Sequence, residues 1–313
     1  MKRMLCFISD MILPNFIPLN ESATKPDVLH AVYTPSEPRM QKRLTDLKIV
    51  AEKKFTQLKI EDVPISDAYN SAEIYRKCKD VVESNSDAEW SLNATGGTKL
   101  MSSPADEYFR DKNLAVYYVD TRKNCILNIS QDWTSREIAF ENSIDVETYF
   151  ALHGHKIRVE MPRTPQEQRV FNQLQLLDWD VWASVNWLRP DDENLQIAEY
   201  DMIGIKNYKI SVFECKRLNI NRHTVAFGNA TQEDLNRIEN DILNDLYKLS
   251  QAQKSFGGYF SSIYWIFNGS AKINKTNYER MKEFNIKLIK GDEVNRLVQR
   301  SNEFGFPKKK QNN

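Results

Sequence analysis

The sequence predicts two α/β domains, the first of them built on an open, largely parallel sheet. Two observations carry this prediction. Short apolar runs alternate with amphipathic helical patterns over residues 1–130, an order that places parallel strands in one sheet with helices on both faces. A length of 313 residues with 41% hydrophobic content suits two domains, each with its own core. We place the domains at 1–130 and 161–313, with a connector over 131–160.

The elements of the first domain follow from periodicity. Apolar residues three or four apart predict amphipathic helices over 39–58 and 68–82. A further helix is expected to begin near Thr98. Apolar runs of strand length separate these patterns, and they are expected to pair in one sheet. The predicted strands are 4–8, 28–33, 59–63, 88–92, 114–119 and 125–129.

A Thr-Gly-Gly turn joins a predicted strand to a predicted helix within residues 93–101. Glycine lets the backbone approach a ligand, and a helix start presents free N–H groups and a positive dipole end to a phosphate. The hydroxyls and Lys99 add further donors. The spacing is neither that of a P-loop nor that of a dinucleotide-binding turn. A tight turn with Thr98 as helix N-cap explains the same residues without a ligand.

Polar, turn-forming residues also end the first two predicted strands. Ligands of open α/β sheets bind at the carboxyl ends of the strands, so these loops and the Thr-Gly-Gly turn are expected to form one crevice. A small-molecule enzyme with a phosphorylated substrate would use such a crevice too, but it leaves the second domain unexplained. The candidate ligand-binding residues are Ser9, Asp10, Pro14, Asn15, Thr34, Ser36, Thr95, Gly96, Gly97, Thr98 and Lys99.

The second domain is predicted to open with a helix, because Thr164, Pro165 and Glu167 form a capping box with the favoured proline. A hairpin over 201–216, with its turn at 204–207, is expected to follow a strand at 179–187. Helical periodicity and β-prone runs define the remaining elements. These are helices at 232–253 and 292–301 and strands at 259–267 and 286–289.

The hairpin carries the candidate catalytic residues. Glu214 and Lys216 are two residues apart, so on a strand both side chains leave the same face. The hairpin is expected to bring Asp201 beside Glu214. Two carboxylates can hold a hard divalent cation, and the Lys216 ammonium can orient or deprotonate an attacking water. An exposed ion pair on a strand edge is the alternative, but the flanking residues are apolar.

Charge and cysteine content restrict the partners. Lys and Arg together equal Asp and Glu at 43 each, so nucleic-acid binding needs a local basic patch. Four widely spaced cysteines indicate reduced, packed residues. No apolar run reaches membrane-spanning length and no signal peptide is apparent, so a cytoplasmic protein is expected. The candidate patch is Lys206, Lys209, Lys216, Arg217, Arg222 and His223.

The first domain resembles the CARF (CRISPR-associated Rossmann-fold) domains. The resemblance rests on Ser9-Asp10, Pro14-Asn15, Tyr33-Thr34-Pro35 and the segment 93–101. It is nearest to the group that carries a C-terminal restriction-endonuclease-like nuclease. It implies a Rossmann-like α/β domain that forms a homodimer and binds a cyclic oligoadenylate, usually cyclic tetra-adenylate, as an allosteric activator across the two-fold axis.

The order of elements in the second domain resembles the PD-(D/E)xK nuclease core of the same group. Asp201, Glu214 and Lys216 match its catalytic set, with Tyr-Asp in place of the common Pro-Asp. Glu199 matches an acidic residue two positions before the Asp. Glu167 matches the glutamate of the preceding helix, although a capping role explains that residue equally well.

The resemblance implies a metal-dependent endonuclease of type III CRISPR antiviral defence. We expect one or two Mg²⁺ or Mn²⁺ ions held by Asp201, Glu214 and the Cys215 carbonyl. The substrate would be DNA, RNA or both, with little sequence specificity, and cleavage would require the cyclic oligoadenylate. The alternative is a non-catalytic sensor of cyclic nucleotides whose second domain binds nucleic acid or a partner protein.

Overall fold

The computed structural model describes residues 1–189, 192, 194–218, 232–255, 261–269 and 273–301. The chain divides into two compact units. Unit 1 comprises Met1–Ser143 and Glu147–His155, and unit 2 comprises Ile144–Val146 and Lys156–Asn313. The residues expected to form a connector, 131–160, are therefore shared between the two units. Within the described residues, no helix has the length and apolar content that a membrane span needs.

Unit 1 is an open sheet with helices. Its helices are α1 (Leu13–Asn20), α2 (Pro38–Lys54), α3 (Ser71–Glu83), α4 (Lys99–Asp111) and α5 (Val146–Leu152), which begins at the unit boundary. Its strands are β1 (Lys2–Phe7), β2 (Val28–Tyr33), β3 (Lys59–Pro64), β4 (Glu89–Asn93), β5 (Ala115–Asp120), β6 (Cys125–Ile129) and β7 (Ser135–Ala139).

The seven strands lie in the order β3-β2-β1-β4-β5-β6-β7. The first five of this order pair in parallel, and β6 and β7 continue the sheet antiparallel. β1 and β2 are buried along most of their length, as central parallel strands covered on both faces must be. The predicted open, largely parallel sheet of the first domain is confirmed.

Three elements of unit 1 depart from the sequence analysis. Pro14 and Asn15 lie in α1 rather than in a loop. This helix is apolar on all sides and carries Pro18 in its interior, so no amphipathic stripe reveals it; residues 13–19 are all buried. Strand β7 and helix α5 occupy the stretch that was expected to be a connector. Strand β7 has no apolar run that predicts it, because it is a largely exposed edge strand and most of its residues are polar.

Unit 2 is a mixed sheet in the order β13-β12-β11-β10-β9-β8. The strands β8 to β11 pair antiparallel, and β11 to β13 pair in parallel. Its helices are α6 (Pro165–Leu176), α7 (Gln232–Ser255) and α8 (Lys275–Glu283). Its strands are β8 (Lys156–Arg158), β9 (Asp180–Leu188), β10 (Gln196–Lys206), β11 (Lys209–Leu218), β12 (Ser261–Gly269) and β13 (Ile286–Lys290).

The hairpin turn lies later than predicted. Asn207 and Tyr208 form it, with φ angles of 49° and 61°, the left-handed conformation that two-residue hairpin turns favour. Gly204 therefore belongs to β10. A Cβ atom at Gly204 would lie 2.9 Å from the Trp179 ring, so glycine permits this ring to pack on the strand. The predicted start of the next strand, 259–260, lies outside the described residues.

The predicted helix at 292–301 is also different. The structure has turns there, with one short 3₁₀ segment, Val294–Arg296. Val294 and Leu297 are its buried apolar residues. They are three positions apart, and a 3₁₀ turn is sufficient to align residues at that spacing.

Candidate functional site

A crevice of about 430 Å³ lies at the carboxyl ends of β1, β2 and β4 in unit 1. It gathers the three loops that the sequence analysis assigned to one site. Six of the predicted ligand-binding residues line it: Ser9, Asp10, Thr34, Thr95, Gly97 and Thr98. Apolar and acidic side chains that were not predicted complete the wall. They are Ile8, Met11, Glu37, Met40, Ala68, Tyr69 and Met101.

Pro14 and Asn15 do not line the crevice; both are buried in α1. The Asn15 side-chain amide donates to the Phe7 carbonyl at 3.0 Å, and the Asn93 amide donates to the Pro14 carbonyl at 2.9 Å. These bonds tie α1 to the ends of β1 and β4. Their role in this structure is to support the crevice. Three other predicted residues, all described by the structure, also lie outside the lining: Ser36, Gly96 and Lys99.

The two glycines of the Thr-Gly-Gly turn let the chain pass over the end of β1. A Cβ atom at Gly96 would lie 2.1 Å from the Phe7 carbonyl oxygen. Gly97 has a φ of +75°, and a Cβ atom there would lie 2.7 Å from the Phe7 Cβ. Both positions exclude a larger residue, and this close approach within the fold explains the glycines without any ligand.

The threonine hydroxyls of the turn are engaged within the fold. Thr95 Oγ1 donates to Asn93 Oδ1 at 2.7 Å and accepts from the Val119 N–H at 2.8 Å. Thr98 caps α4, since its Oγ1 accepts from the Met101 N–H at 3.3 Å. The predicted N-cap is confirmed, and it leaves the start of α4 at the crevice wall.

One charged contact in the crevice was not predicted. Asp10 lines the wall and pairs with the Arg39 guanidinium at 2.6 Å, in the first turn of α2. Both side chains are largely exposed, with 48% and 68% of their surface accessible. An anion that enters the crevice would be repelled by Asp10 and Glu37 and attracted by Arg39, and the ion pair of Asp10 with Arg39 weakens both effects.

The second group of polar residues lies in unit 2, where β10 and β11 pair. Met202 is opposite Phe213. Asp201 precedes Met202 and Glu214 follows Phe213, so the same antiparallel register places Asp201 opposite Glu214. Residues opposite each other on antiparallel strands project from the same face, so the two carboxylates are neighbours. The Cys215 N–H donates to Asp201 Oδ2 at 2.7 Å. The structure thus brings the predicted acidic pair together.

Helix α7 adds two charged residues that were not among the predicted site residues. Lys248 donates to Glu214 Oε1 at 2.8 Å. Lys216 donates to Asp245 Oδ1 at 3.2 Å, and its ammonium lies 3.0 Å from Asp245 Oδ2. The predicted catalytic lysine, Lys216, is therefore paired with Asp245, and Lys248 is the lysine that pairs with Glu214.

The environment raises the pKa of both carboxyl groups. Burial is the main cause for Glu214, and the charge of Asp201 adds to it; together they raise the pKa of Glu214 to about 7. Burial also raises the pKa of Asp201, to about 6, against the opposing effect of the Cys215 N–H. Negative charge on Glu167 and Glu199 contributes to the Asp201 shift. Such carboxyls gain from a cation placed between them.

Burial lowers the pKa of Lys216, but the hydrogen bond and charge of Asp245 outweigh that effect, so its pKa lies above the usual value. Lys216 is therefore a cation at neutral pH. In this arrangement it can orient an anionic group or a water molecule, whereas proton abstraction by its amine is disfavoured.

Glu167 and Glu199 border the pair. The predicted N-cap at Thr164 is formed: the Glu167 N–H donates to Thr164 Oγ1 at 3.2 Å, and the Glu167 carboxylate accepts from the Thr164 hydroxyl at 2.8 Å. The Arg163 N–H also donates to Glu167, at 2.8 Å. The Arg163 guanidinium forms an ion pair with Glu199. Both acids thus have structural partners while adding negative potential at Asp201.

The donor chemistry fits a hard divalent cation. Asp201 and Glu214 supply two carboxylates, and the buried Glu214 Oε2 receives no hydrogen bond from any described residue. A buried carboxylate oxygen without a donor is a natural ligand for Mg²⁺ or Mn²⁺. Over the described ranges, no three His, Cys, Asp or Glu side chains are grouped to hold a metal. A backbone carbonyl, such as that of Cys215, would have to join the two carboxylates.

The predicted basic patch is not formed as expected. Lys206 is buried, and its ammonium donates to the Leu177 carbonyl. Lys216 pairs with Asp245. Arg222, His223 and the side chain of Arg217 lie outside the described residues. The patch therefore loses two of its six members to contacts within the fold.

The open sheet of unit 1, with a crevice at its carboxyl edge, agrees with a comparison to known protein families. Residues 4–149 match the family model of the Card1 CARF domain. This match extends past residue 130, as unit 1 does. Residues 4–149 therefore form a CARF domain, and the match covers slightly less than half of the chain. No curated protein matches it by sequence.

Many solved structures share its fold, among them the three that follow. Can2 from Sulfobacillus thermosulfidooxidans, in complex with cyclic tetra-adenylate, is 17% identical with a TM-score of 0.71, over 95% of this chain and 98% of that one. The protein VC1899 from Vibrio cholerae is 13% identical with a TM-score of 0.72, over 97% of each chain. Both likenesses include unit 2, so the predicted fold of two α/β domains is confirmed.

The third structure is a type III CRISPR defence DNA nuclease activated by cyclic oligoadenylate. It is 14% identical to this chain with a TM-score of 0.60. The match covers 86% of this chain and 46% of that one, so this chain spans less than half of the nuclease's length.

Proposed function

We propose that this protein is a metal-dependent nuclease that a cyclic oligoadenylate activates in type III CRISPR antiviral defence. The Asp201–Glu214 pair carries the proposal. The buried Glu214 carboxylate and the half-buried Asp201 carboxylate, both with raised pKa values, stand side by side in unit 2 of a chain whose residues 4–149 match a CARF domain. A merely structural role would not favour placing two acids of like charge beside each other where water is largely excluded.

Cyclic tetra-adenylate is the first candidate activator, since the structure of Can2 contains that ligand. The crevice of unit 1 would place the positive dipole end of α4 near its phosphates and apolar side chains such as Met40 and Met101 near its bases. The ligand is proposed to bind a homodimer across its two-fold axis.

The chemistry at the second site follows from its residues. Asp201, Glu214 and the Cys215 carbonyl would hold Mg²⁺ or Mn²⁺, which supplies Lewis acidity to the scissile phosphate and a more acidic bound water. The Cys215 N–H fixes the Asp201 carboxylate before any ligand arrives. Lys216 lies on the same face of β11 as Glu214 and pairs with Asp245 of α7. In this position it can orient the attacking water or a phosphate oxygen.

The protonation state of the acids controls this site. Both carboxyls must be ionised to bind a cation, and their pKa values of about 6 and about 7 put this transition just below and at neutral pH. Negative charge on Glu167 and Glu199 strengthens the attraction for a cation.

The test is a cleavage assay with labelled single-stranded DNA, single-stranded RNA and supercoiled plasmid in the presence of Mn²⁺, with and without cyclic tetra-adenylate. We expect at least one substrate to be cut when metal and activator are both present. The substrate that is cut identifies the class of nucleic acid. If no substrate is cut while the activator binds, the protein is instead a sensor whose second unit binds nucleic acid or a partner protein.

A further inference from the structure

Two ion pairs join β11 to α7 with opposite polarity. On the strand, Glu214 pairs with Lys248 of the helix, and Lys216 pairs with Asp245. Asp245 and Lys248 are three positions apart on α7, so they share one face of it. Each partner on the strand thus finds its counter-charge on the helix. Glu214, which is proposed to bind a metal, is therefore already paired with one cation, the Lys248 ammonium.

The two partners of the Glu214 pair differ in their access to water. The Glu214 side chain is 10% exposed, whereas the Lys248 side chain is 36% exposed. The Lys248 ammonium also lies 5.5 Å from the centroid of the Tyr200 ring, which offers a weak cation–π contact. Lys248 can therefore swing its ammonium toward water on its flexible stem, but Glu214 cannot follow it.

A divalent cation and the Lys248 ammonium would bind the same carboxylate. Like charges at such short range repel strongly where water is largely excluded, so full coordination of a cation by Glu214 requires the ammonium to move away. The buried Oε2 atom of Glu214 accepts no hydrogen bond from a described residue, so one oxygen remains for a cation while Lys248 is still on Oε1.

We infer that Lys248 is a positioning residue that competes with the divalent cation for Glu214 and thereby sets the metal affinity of the site. The inference rests on the proposed nuclease function, because it assumes that the Asp201–Glu214 pair binds the metal. In this arrangement the lysine neutralises the buried acid until a cation replaces it, and metal binding releases the ammonium from β11.

The first test measures Mn²⁺ binding to the full-length protein without nucleic acid, by titration calorimetry and by the electron paramagnetic resonance signal of free Mn²⁺. Lys248→Met is expected to tighten binding by about fivefold, the scale of one partly exposed ion pair. Lys248→Arg keeps the competing charge and is expected to stay near wild type. The matched control is Lys282→Met, which removes an exposed lysine from the Glu279 pair in the same unit.

The outcomes separate this inference from the proposed function. If Glu214→Gln abolishes Mn²⁺ binding while Lys248→Met leaves it unchanged or weakens it, the competition is overturned and the metal site stands. If Mn²⁺ binding is indifferent to Glu214→Gln, the proposed metal site is wrong, and the role of Lys248 falls with it.

A measurement on the wild-type protein avoids any dependence on folding of a variant. Lysine acetylation is followed by peptide mass spectrometry at increasing Mn²⁺ concentration. Lys248 is expected to react faster as Mn²⁺ displaces it from Glu214, while the reactivity of Lys282 stays constant. A Lys248 reactivity that does not change at saturating Mn²⁺ would overturn the inference.

Discussion

The Cys215 N–H donates a hydrogen bond of 2.7 Å to Asp201 Oδ2, so the main chain of β11 holds a side chain of β10. The same peptide unit is covalently attached to Glu214. One bond therefore orients Asp201 and fixes its place relative to the second acid. A site whose donors are set by backbone atoms needs little reorganisation when a ligand binds, which is the property expected of a catalytic centre.

Replacement of Glu214 by Gln is expected to abolish cleavage and leave activator binding unchanged. The amide keeps the shape of the side chain but removes the charge that a divalent cation requires, so a loss of at least ~100-fold in cleavage rate is predicted. The measurement pairs a cleavage assay with calorimetric titration of cyclic tetra-adenylate. Glu279→Gln, an exposed acid of unit 2, is the control. Cleavage that survives the Glu214 change would show that the site is assigned wrongly.

The pH profile of cleavage follows from the two raised pKa values. At pH 5 both carboxyls are protonated, because the pKa of Asp201 is about 6 and that of Glu214 is about 7. At subsaturating Mn²⁺, kcat/KM is expected to rise between pH 5.5 and 7.5 and then level off. A profile that is flat across this interval would mean that these carboxyls do not control the reaction.

The same shifts predict how stability depends on pH. Glu214 has a higher pKa in the folded chain than in the unfolded one, so its stabilising contribution is full below the unfolded value and is lost as pH rises through about 7. Glu214→Gln removes this penalty. Its Tm in EDTA should exceed that of wild type by ~2–4 °C at pH 8, the scale of about 1 kcal/mol, and match it at pH 5. An equal Tm difference at both pH values would contradict this explanation.

Thr98→Ala is expected to weaken the response to the activator. The change removes the N-cap of α4 at the crevice wall, at a cost of about 1 kcal/mol in stability. The control is Asn274→Ala, which removes the N-cap of α8 in unit 2. Calorimetry should show weaker binding of cyclic tetra-adenylate for Thr98→Ala only. Equal affinities in the two variants would remove the start of α4 from the ligand site.

The sequence predicted the sheet of unit 1 well because its strands are apolar runs separated by helical periodicity. Helix α1 was missed because it is buried on every side and interrupted by Pro18. The position of the hairpin turn was not predicted. A turn centred on 204–207 would have placed Asp201 opposite residue 210, and only the later turn at Asn207-Tyr208 aligns it with Glu214. The residue types alone predict the chemistry of Asp201 and Glu214, whereas the register of β10 and β11 is determined by the turn that the structure adopts.

The helical partners of the acidic pair could not be predicted in the same way. Asp245 and Lys248 have the spacing of neighbours on a helix face, which is visible in the sequence. Their contacts with Lys216 and Glu214 cross 29 and 34 residues. Such contacts depend on how α7 packs against the sheet, which local patterns do not determine. For the same reason, the pairing of Lys216 with Asp245 was not foreseen.

The decisive experiment for a gated, metal-dependent nuclease compares wild type with Glu214→Gln in cleavage of a labelled nucleic acid, with Mn²⁺ and cyclic tetra-adenylate each added or withheld. We expect cleavage only by wild type and only when both are present. Cleavage by wild type that is indifferent to the activator, or that persists in Glu214→Gln, would contradict it.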